Sequence, residues 1–199
     1  VTPDLSSLIL REIEESILAK KKLSQDAGLL AQLAKLSQDC CASLRAGGKV
    51  IFAGNGGSFA DAQHLSAEFV SRFKFDRAPL ASLALATNGS GISAIGNDYG
   101  YDQVFARELE AVARPVDVFI PITTSGNSRN VLKAIEVASR LGLRTVCLTG
   151  ETGGAASKMC ECLRMPSTET ARIQECHILV GHILCGLVES ELFQRADLP

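Results

Sequence analysis

Few ionisable groups in this chain have types and spacings that could do chemistry. It has three histidines, His64, His177 and His182. His64 and Glu68 are i and i+4, so on a helix they share a face. An imidazole beside a carboxylate can move protons or hold a divalent cation. Gln174, His177 and His182 form a second group. On a helix, Gln174 and His182 would stand about 12 Å apart along the axis and roughly 80° apart around it. His177, three residues after Gln174, shares its face. The plainer readings are a surface pair for His64 and Glu68 and a hydrogen-bonded core histidine for His182. A cation held by His64, Glu68, His182 and an amide or carbonyl oxygen would be zinc or a similar divalent ion, because imidazole and carboxylate suit it.

Two loops carry a different signal. Gly54-Asn55-Gly56-Gly57-Ser58 follows an apolar run and opens a helical stretch, and Thr123-Thr124-Ser125-Gly126-Asn127-Ser128 does the same. Glycine lets backbone N–H groups approach a ligand, hydroxyls add donors, and a helix N-terminus adds positive potential. Together they favour an anion such as phosphate. The first loop fails the dinucleotide fingerprint, since Phe59 stands where a third glycine is needed and Leu85-Ala86-Thr87-Asn88 offers no acid for a ribose. The second lacks the Gly-Lys-Ser/Thr of a P-loop. Tight strand-to-helix turns with capping hydroxyls are the bland alternative.

Positioning these residues takes alternating elements. The runs 49–53, 80–86, 116–122, 143–148 and, more weakly, 160–165 read as strands. Helical stretches at 58–72, 101–113 and 128–141 lie between them. Such alternation predicts an α/β fold, a three-layer αβα sandwich around a parallel five-stranded sheet covered on both faces. Ligands bind such sheets at the carboxyl ends of the strands, where both loops fall. Ahead of the sheet, Thr2-Pro3 reads as a cap with proline at the first helical position. Leu5, Ile9, Ile13 and Ile17 then make an amphipathic helix. A second helix runs from about Ser24 to Arg45, with Leu29, Leu33, Leu36, Cys40 and Leu44 as its stripe and Gly47-Gly48 at its end. Residues 1–46 thus read as an N-terminal helical extension of a single domain spanning 1–199. The last segment, about 170–193, is helical, apolar on most sides and expected to be deeply buried. Gln174 and His182 sit far apart on it, and the N-terminal stripe exceeds what one face of a sheet needs. Both point to an oligomer with sites at subunit boundaries.

Composition narrows the partners. The chain has 199 residues, 46% hydrophobic and 21% charged, which excludes disorder. Lys and Arg number 20 against 22 Asp and Glu, so no global field grips nucleic acid or anionic lipid. The seven cysteines are odd in number and lack a CxxC, so they read as reduced cytoplasmic thiols packed as small hydrophobes. Asp4, Arg11, Glu12, Glu14, Glu15 and Lys20 break any signal-peptide core. The longest uncharged run, 78–97, contains Pro79, Gly89 and Gly91 and reads as strand plus loop, not as a membrane span.

Several ordered motifs then combine: Ala-Gly-Asn-Gly-Gly-Ser (53–58), Asp-Ala-Gln-His (61–64), Glu-Phe-Val-Ser-Arg-Phe (68–73), Ala-Ile-Gly-Asn-Asp-Tyr-Gly (94–100), Thr-Ser-Gly-Asn-Ser (124–128) and Arg-Ile-Gln-Glu (172–175). From the N-terminal helices to about Phe193, the chain resembles the phosphoheptose isomerases of the sugar isomerase (SIS) fold. The resemblance implies an aldose–ketose isomerase acting on sedoheptulose 7-phosphate to give D-glycero-D-manno-heptose 7-phosphate. That would be a first step toward heptose precursors of lipopolysaccharide or other surface glycans. It places a metal, zinc, on His64, Glu68, Gln174 and His182, with Glu68 as base and His182 as acid. Phosphate falls on Thr123, Thr124, Ser125 and Ser128, and sugar contacts on Asn55, Gly56, Gly57, Asn97, Asp98 and Gln174, with Arg72 and Asp61 in support. It also implies a cytoplasmic homotetramer. The departures are Phe59 for a small residue, Thr123 for serine and Asn88 for an acid, and Phe59 and Asn88 bear on substrate preference. The main rival is a non-enzymatic protein of the same fold, a sugar-phosphate sensor or a module associating with a replication initiator, disfavoured by the presence of both Glu68 and His182. The second is an isomerase of hexose or pentose phosphates, disfavoured by the His64/Glu68 and Gln174/His182 pattern.

Overall fold

The computed structural model describes residues 4–193. The chain opens with helices α1 (Leu5–Gln25) and α2 (Ala27–Arg45). There follow β1 (Val50–Gly54), α3 (Gly57–Val70), β2 (Ser82–Ala84), α4 (Gly89–Tyr99), α5 (Val104–Val112), β3 (Val118–Ile122), α6 (Arg129–Arg140), β4 (Arg144–Thr149), β5 (Glu161–Arg164) and α7 (Thr170–Phe193). Short 3₁₀ turns, Tyr101–Gln103 and Ala155–Lys158, precede α5 and β5.

All five strands are parallel, in the order β2-β1-β3-β4-β5. Side chains alternate across a strand, and the two faces diverge accordingly. Val50 and Phe52 of β1, Val118 and Ile120 of β3 and Leu163 of β5 join a core with α1, α2, α3 and α7. Ile51, Ala53, Phe119 and Cys147 face the other way, into a core with α5 and α6. Burying each of the large side chains Phe52, Phe69, Phe105 and Phe119 stabilises the fold by roughly 1.5–3 kcal/mol. At the amino end of the sheet, buried Asp117 accepts from Lys49 N (2.9 Å), Arg114 N (2.8 Å) and Lys49 Nζ (2.6 Å), joining the starts of β1 and β3.

The strand order reverses between β1 and β3. Their carboxyl ends therefore form the topological switch point, and both glycine- and hydroxyl-rich loops leave from there.

Several boundaries differ from the sequence expectation. Thr2 and Pro3 lie outside the described residues; α1 is capped by Asp4, whose carboxylate accepts from Ser6 N and Ser7 N. α2 starts at Ala27, because Asp26 breaks the run and accepts from Leu29 N. The strand expected over 80–86 keeps only three residues, and the helix expected from Tyr101 begins as a 3₁₀ turn. Part of the 78–97 run read as loop is helix α4, capped by Asn88 through Ser90 N and Gly91 N. The stripe on α1 is not covered: Leu5, Ile9, Ile13 and Ile17 are 73%, 61%, 51% and 60% exposed. α7 is long and apolar enough to cross a membrane by length and composition, and half of its apolar window is buried against the rest of the fold. All seven cysteines are free thiols, and every one but Cys160 is buried.

Candidate active site

The first loop turns on Gly56, whose φ of +56° opens α3. Gly57 lies against the Gln174 amide, since a Cβ there would stand 2.6 Å from Gln174 Nε2 and push that side chain aside. Two turns further along, a Cβ on Gly181 would stand 2.5 Å from Leu65. α3 and α7 therefore run side by side in the same direction. Gln174 lies beside the loop end of α3, and His182 lies beside His64.

That seam brings three chemically active groups together within one chain. His64 Nε2 is 2.8 Å from His182 Nε2 and 3.4 Å from Glu68 Oε1. One ligand atom from each of His64, Glu68 and His182 lies within 4.8 Å of the others. Two imidazole nitrogens and a carboxylate oxygen suit zinc in type, so the donors fit a divalent cation. Gln174 is on the same helix as His182 but two turns closer to the first loop, so its amide is directed at Gly57. The side chains of His64 and Glu68 are 48% and 22% exposed, open enough for a ligand. Burial, reinforced by His64, lowers the His182 pKa below the ordinary imidazole value, while Glu68 opposes the shift. The Phe73 ring stacks on His182, centroids 5.6 Å apart and planes 24° apart. One turn before His64, burial raises the Asp61 carboxyl, against an opposing pull from His64, and Asp61 Oδ2 has no hydrogen-bond partner.

The second loop is braced from within. Thr123 Oγ1 and Ser128 Oγ are 3.1 Å apart, and Ser125 Oγ accepts from Asn127 N at 3.1 Å. Asn127 Oδ1 accepts from Ala155 N (2.9 Å) and Thr124 O from Gly150 N (3.0 Å). Gly126, at φ +67°, passes so close to Gly153 and Gly154 that no Cβ fits. Ser128 caps α6 without a side-chain bond to the helix's first N–H groups, which favours an anion there.

Asn55 joins the loops. Its Nδ2 donates to Asn130 Oδ1 (2.9 Å), Asn130 Nδ2 donates back to Asn55 Oδ1 (2.8 Å), and Tyr101 OH also reaches Asn55 Oδ1 (3.2 Å). The amide expected to contact sugar is thus engaged with the neighbouring loop. Asn97 Nδ2 donates to Asp98 Oδ1 (2.8 Å) at the exposed end of α4, and Arg72 is exposed beyond α3. Among the described residues, Asn97 and Asp98 bond to no member of the histidine–glutamate group. Asn130, Tyr101 and Phe73 were not anticipated. Asn130 follows the second loop by two residues, the one sequence clue to its role.

A parallel sheet with ligand loops at its switch point and an acid–base group beside them defines a protein that handles small anionic metabolites. The SIS domain family model matches residues 17–150. The chain is 48% identical over 193 residues to phosphoheptose isomerase 2 of Campylobacter jejuni, covering 96% of each, and 47% identical over 192 residues to the phosphoheptose isomerase of Aneurinibacillus thermoaerophilus, covering 96% and 97%. Among solved structures, it matches a phosphoheptose isomerase from Neisseria gonorrhoeae with TM-score 0.86 at 37% identity, covering 93% and 99% of the chains. One from Francisella tularensis matches with TM-score 0.88 at 37% identity, covering 94% and 100%. The chain belongs to the SIS-domain family and, within it, to the phosphoheptose isomerases.

Proposed function

We propose that this chain interconverts sedoheptulose 7-phosphate and D-glycero-D-manno-heptose 7-phosphate, feeding heptose precursors of surface glycans. The observation that carries the reading is the convergence of His64, Glu68 and His182 on one helix seam, in a member of this family. Substrate phosphate sits on Thr123, Thr124, Ser125 and Ser128 at the start of α6, and Asn55, Gly56, Gly57, Arg72, Asn97, Asp98 and Gln174 form the sugar-contacting set.

The reaction moves one carbon-bound proton from C1 to C2 and one oxygen-bound proton from O1 to O2. Glu68 takes the C1 proton while His182 donates a proton to O2. The C1–H bond breaks, a C1=C2 bond forms, and the ketone becomes a hydroxyl, giving an enediol. Glu68 then returns its proton to C2, and His182 recovers one from O1, leaving the aldehyde. Atoms and charge balance without an external reagent. A carboxylate and an imidazole on facing helices can divide this proton traffic, one at carbon and one at oxygen.

His64, Glu68 and His182 are the residues that would hold zinc, while Gln174, the fourth ligand the resemblance implies, directs its amide at Gly57. When bound, the ion would supply Lewis-acidic positive charge at the site. Glu68 cannot be a tight ligand and a free base at the same moment, nor can His182 ligate through the nitrogen that carries its proton, so the metal would be loosely held. The chain works as a single domain, with 1–46 as its helical extension, in a cytoplasmic homotetramer assembled through the exposed face of α1.

The test is turnover of sedoheptulose 7-phosphate beside hexose and pentose phosphates, with and without added zinc. Glu68→Gln keeps size but cannot accept the carbon proton, so turnover falls by at least about 10²-fold. Near-wild-type turnover by a folded Glu68→Gln variant removes Glu68 from the mechanism, and preference for a hexose or pentose phosphate reassigns the substrate.

A further inference from the structure

Between α3 and β2, residues 71–81 have no regular secondary structure, yet this segment carries Phe73, the ring that lies on His182. A buried ion pair anchors it. Glu189 Oε1 accepts from Phe73 N (2.9 Å) and Glu189 Oε2 from Lys74 N (2.8 Å). Arg77 Nε donates to the same Oε1 (2.9 Å). The rest of the guanidinium turns to the carboxyl end of α3. Nη2 donates to Glu68 O (2.7 Å), and Nη1 donates to Phe69 O (2.8 Å), Ser71 O (3.1 Å) and Ala78 O (3.1 Å). A helix end leaves such carbonyls without partners, and Arg77 supplies them. The side chains of Arg77 and Glu189 are 2% and 1% exposed.

A fully buried ion pair is a costly way to fill space, because apolar residues of the same volume often do as well. Apolar residues cannot supply directed hydrogen bonds to backbone at two separate places. One place is the last turn of α3, where Arg77 grips the carbonyl of Glu68 itself. The other is the Phe73–Lys74 peptide. Glu189 stands two turns after His182 on α7 and so lies on its side of the helix. Both proton-transfer groups are therefore tied to a single pair.

We infer that Arg77 and Glu189 are a positioning pair for the isomerase site: the guanidinium fixes the turn that carries Glu68, and the carboxylate fixes the peptide whose ring holds His182. The inference rests on the reading of Glu68 and His182 as the proton-transfer groups. At 2% and 1% exposure, neither side chain is open to a ligand.

Three variants test it. Glu189→Gln has one acceptor oxygen where three N–H donors now meet two. Arg77→Lys keeps the charge but lacks the planar fork. Arg77→Met with Glu189→Met replaces the pair by packed apolar side chains. Each is expected to lower kcat about 10- to 100-fold, with KM for the sugar phosphate nearly unchanged, because the Thr123–Ser128 loop is untouched. A second readout needs no activity. The face of Phe73 shields the His182 ring protons, and their NMR resonances move downfield in the Glu189 variants. A folded variant with wild-type kcat and an unmoved His182 resonance overturns the proposal, as does a variant that loses only melting temperature. Wild-type kcat in Arg77→Lys shows that charge alone suffices and overturns the role of the directed bonds. If Glu68→Gln remains active, the underlying mechanism fails instead, and the resonance still reports whether the pair holds His182.

Discussion

His177 is fully buried, and burial pushes its pKa down to about 4 from the ordinary 6.5, with the Thr149 backbone opposing. Neither ring nitrogen has a partner of hydrogen-bond geometry. The unfolded chain takes up this proton near pH 6.5 and the folded chain only near pH 4, so between those values the unfolded state binds more protons. Stability is full above pH 6.5 and is lost as pH falls toward 4, by on the order of 3 kcal/mol. Urea melts across this range measure it, and His177→Leu should flatten that part of the profile. A variant that keeps the wild-type slope assigns the loss to another group. A separate expectation concerns Ser125 and Ser128. Replacing either by Ala should raise KM for phosphorylated sugars more than it lowers kcat, since both belong to the loop proposed to hold phosphate and neither bonds to the proton-transfer groups. A fall in kcat alone would move the phosphate elsewhere. At this scale the His64–Glu68 pair was legible because i,i+4 spacing is local. That His182 meets His64 was not, because residues 118 apart in sequence meet only through the packing of α3 on α7. The engagement of Asn55 by Asn130 was hidden for the same reason.

Helices α3 and α7 meet where Gly181 lets Leu65 approach, one residue from His182 on one side and one from His64 on the other. Gly181→Ala adds a methyl into this contact and should cost about 1–3 kcal/mol. The seam must open, and kcat should fall along with the melting temperature. Trimming the opposing side chain, in the double variant Gly181→Ala with Leu65→Val, should recover part of both. Independent, additive effects in that cycle would mean the two residues do not share the contact. The strands were legible because each is a short apolar run stopped by a glycine, a turn or a helix start. α4 was not. Its sequence, Gly-Ser-Gly-Ile-Ser-Ala-Ile-Gly-Asn-Asp-Tyr, is rich in helix-weakening glycine and has no fully buried residue, so no apolar stripe announced it. What marks its start is the Asn88 cap, and that position was read only as a departure bearing on substrate preference. The first helix showed the opposite failing. Its stripe was correctly read as apolar, but nothing local said that Ala19 and Leu23 would turn inward and the stripe outward.

The whole molecule presents that stripe on a helix firmly attached at its other side. Arg172 Nη1 donates to Glu12 O (2.6 Å) and Lys20 Nζ lies 3.7 Å from Glu175 Oε2, fastening α1 to α7. Leu10 and Leu18 are exposed as well. Soluble monomers rarely keep so large an apolar patch open. Light scattering should therefore give about four times 21.1 kDa for the wild-type chain. Ile9→Asp with Ile13→Asp should shift it to smaller species. A fully active particle of 21.1 kDa would end the tetramer reading. The layered sheet itself was legible at this scale from alternation alone, because five apolar runs separated by helices leave few other ways to bury both faces.

Over time, the molecule also has a chemical vulnerability at its own switch point. Asn55 is followed by Gly56, a pairing in which the glycine nitrogen readily attacks the side-chain amide and releases ammonia, and water then opens the cyclic imide to a carboxylate. The attack needs the Asn55 side chain to swing free. The reciprocal bonds with Asn130 prevent that, since each amide offers the other both a donor and an acceptor. A carboxylate at position 55 could still accept from Asn130 Nδ2, but it would set two oxygens against each other on the return bond. The clasp that joins the two loops thus slows the reaction that would break it.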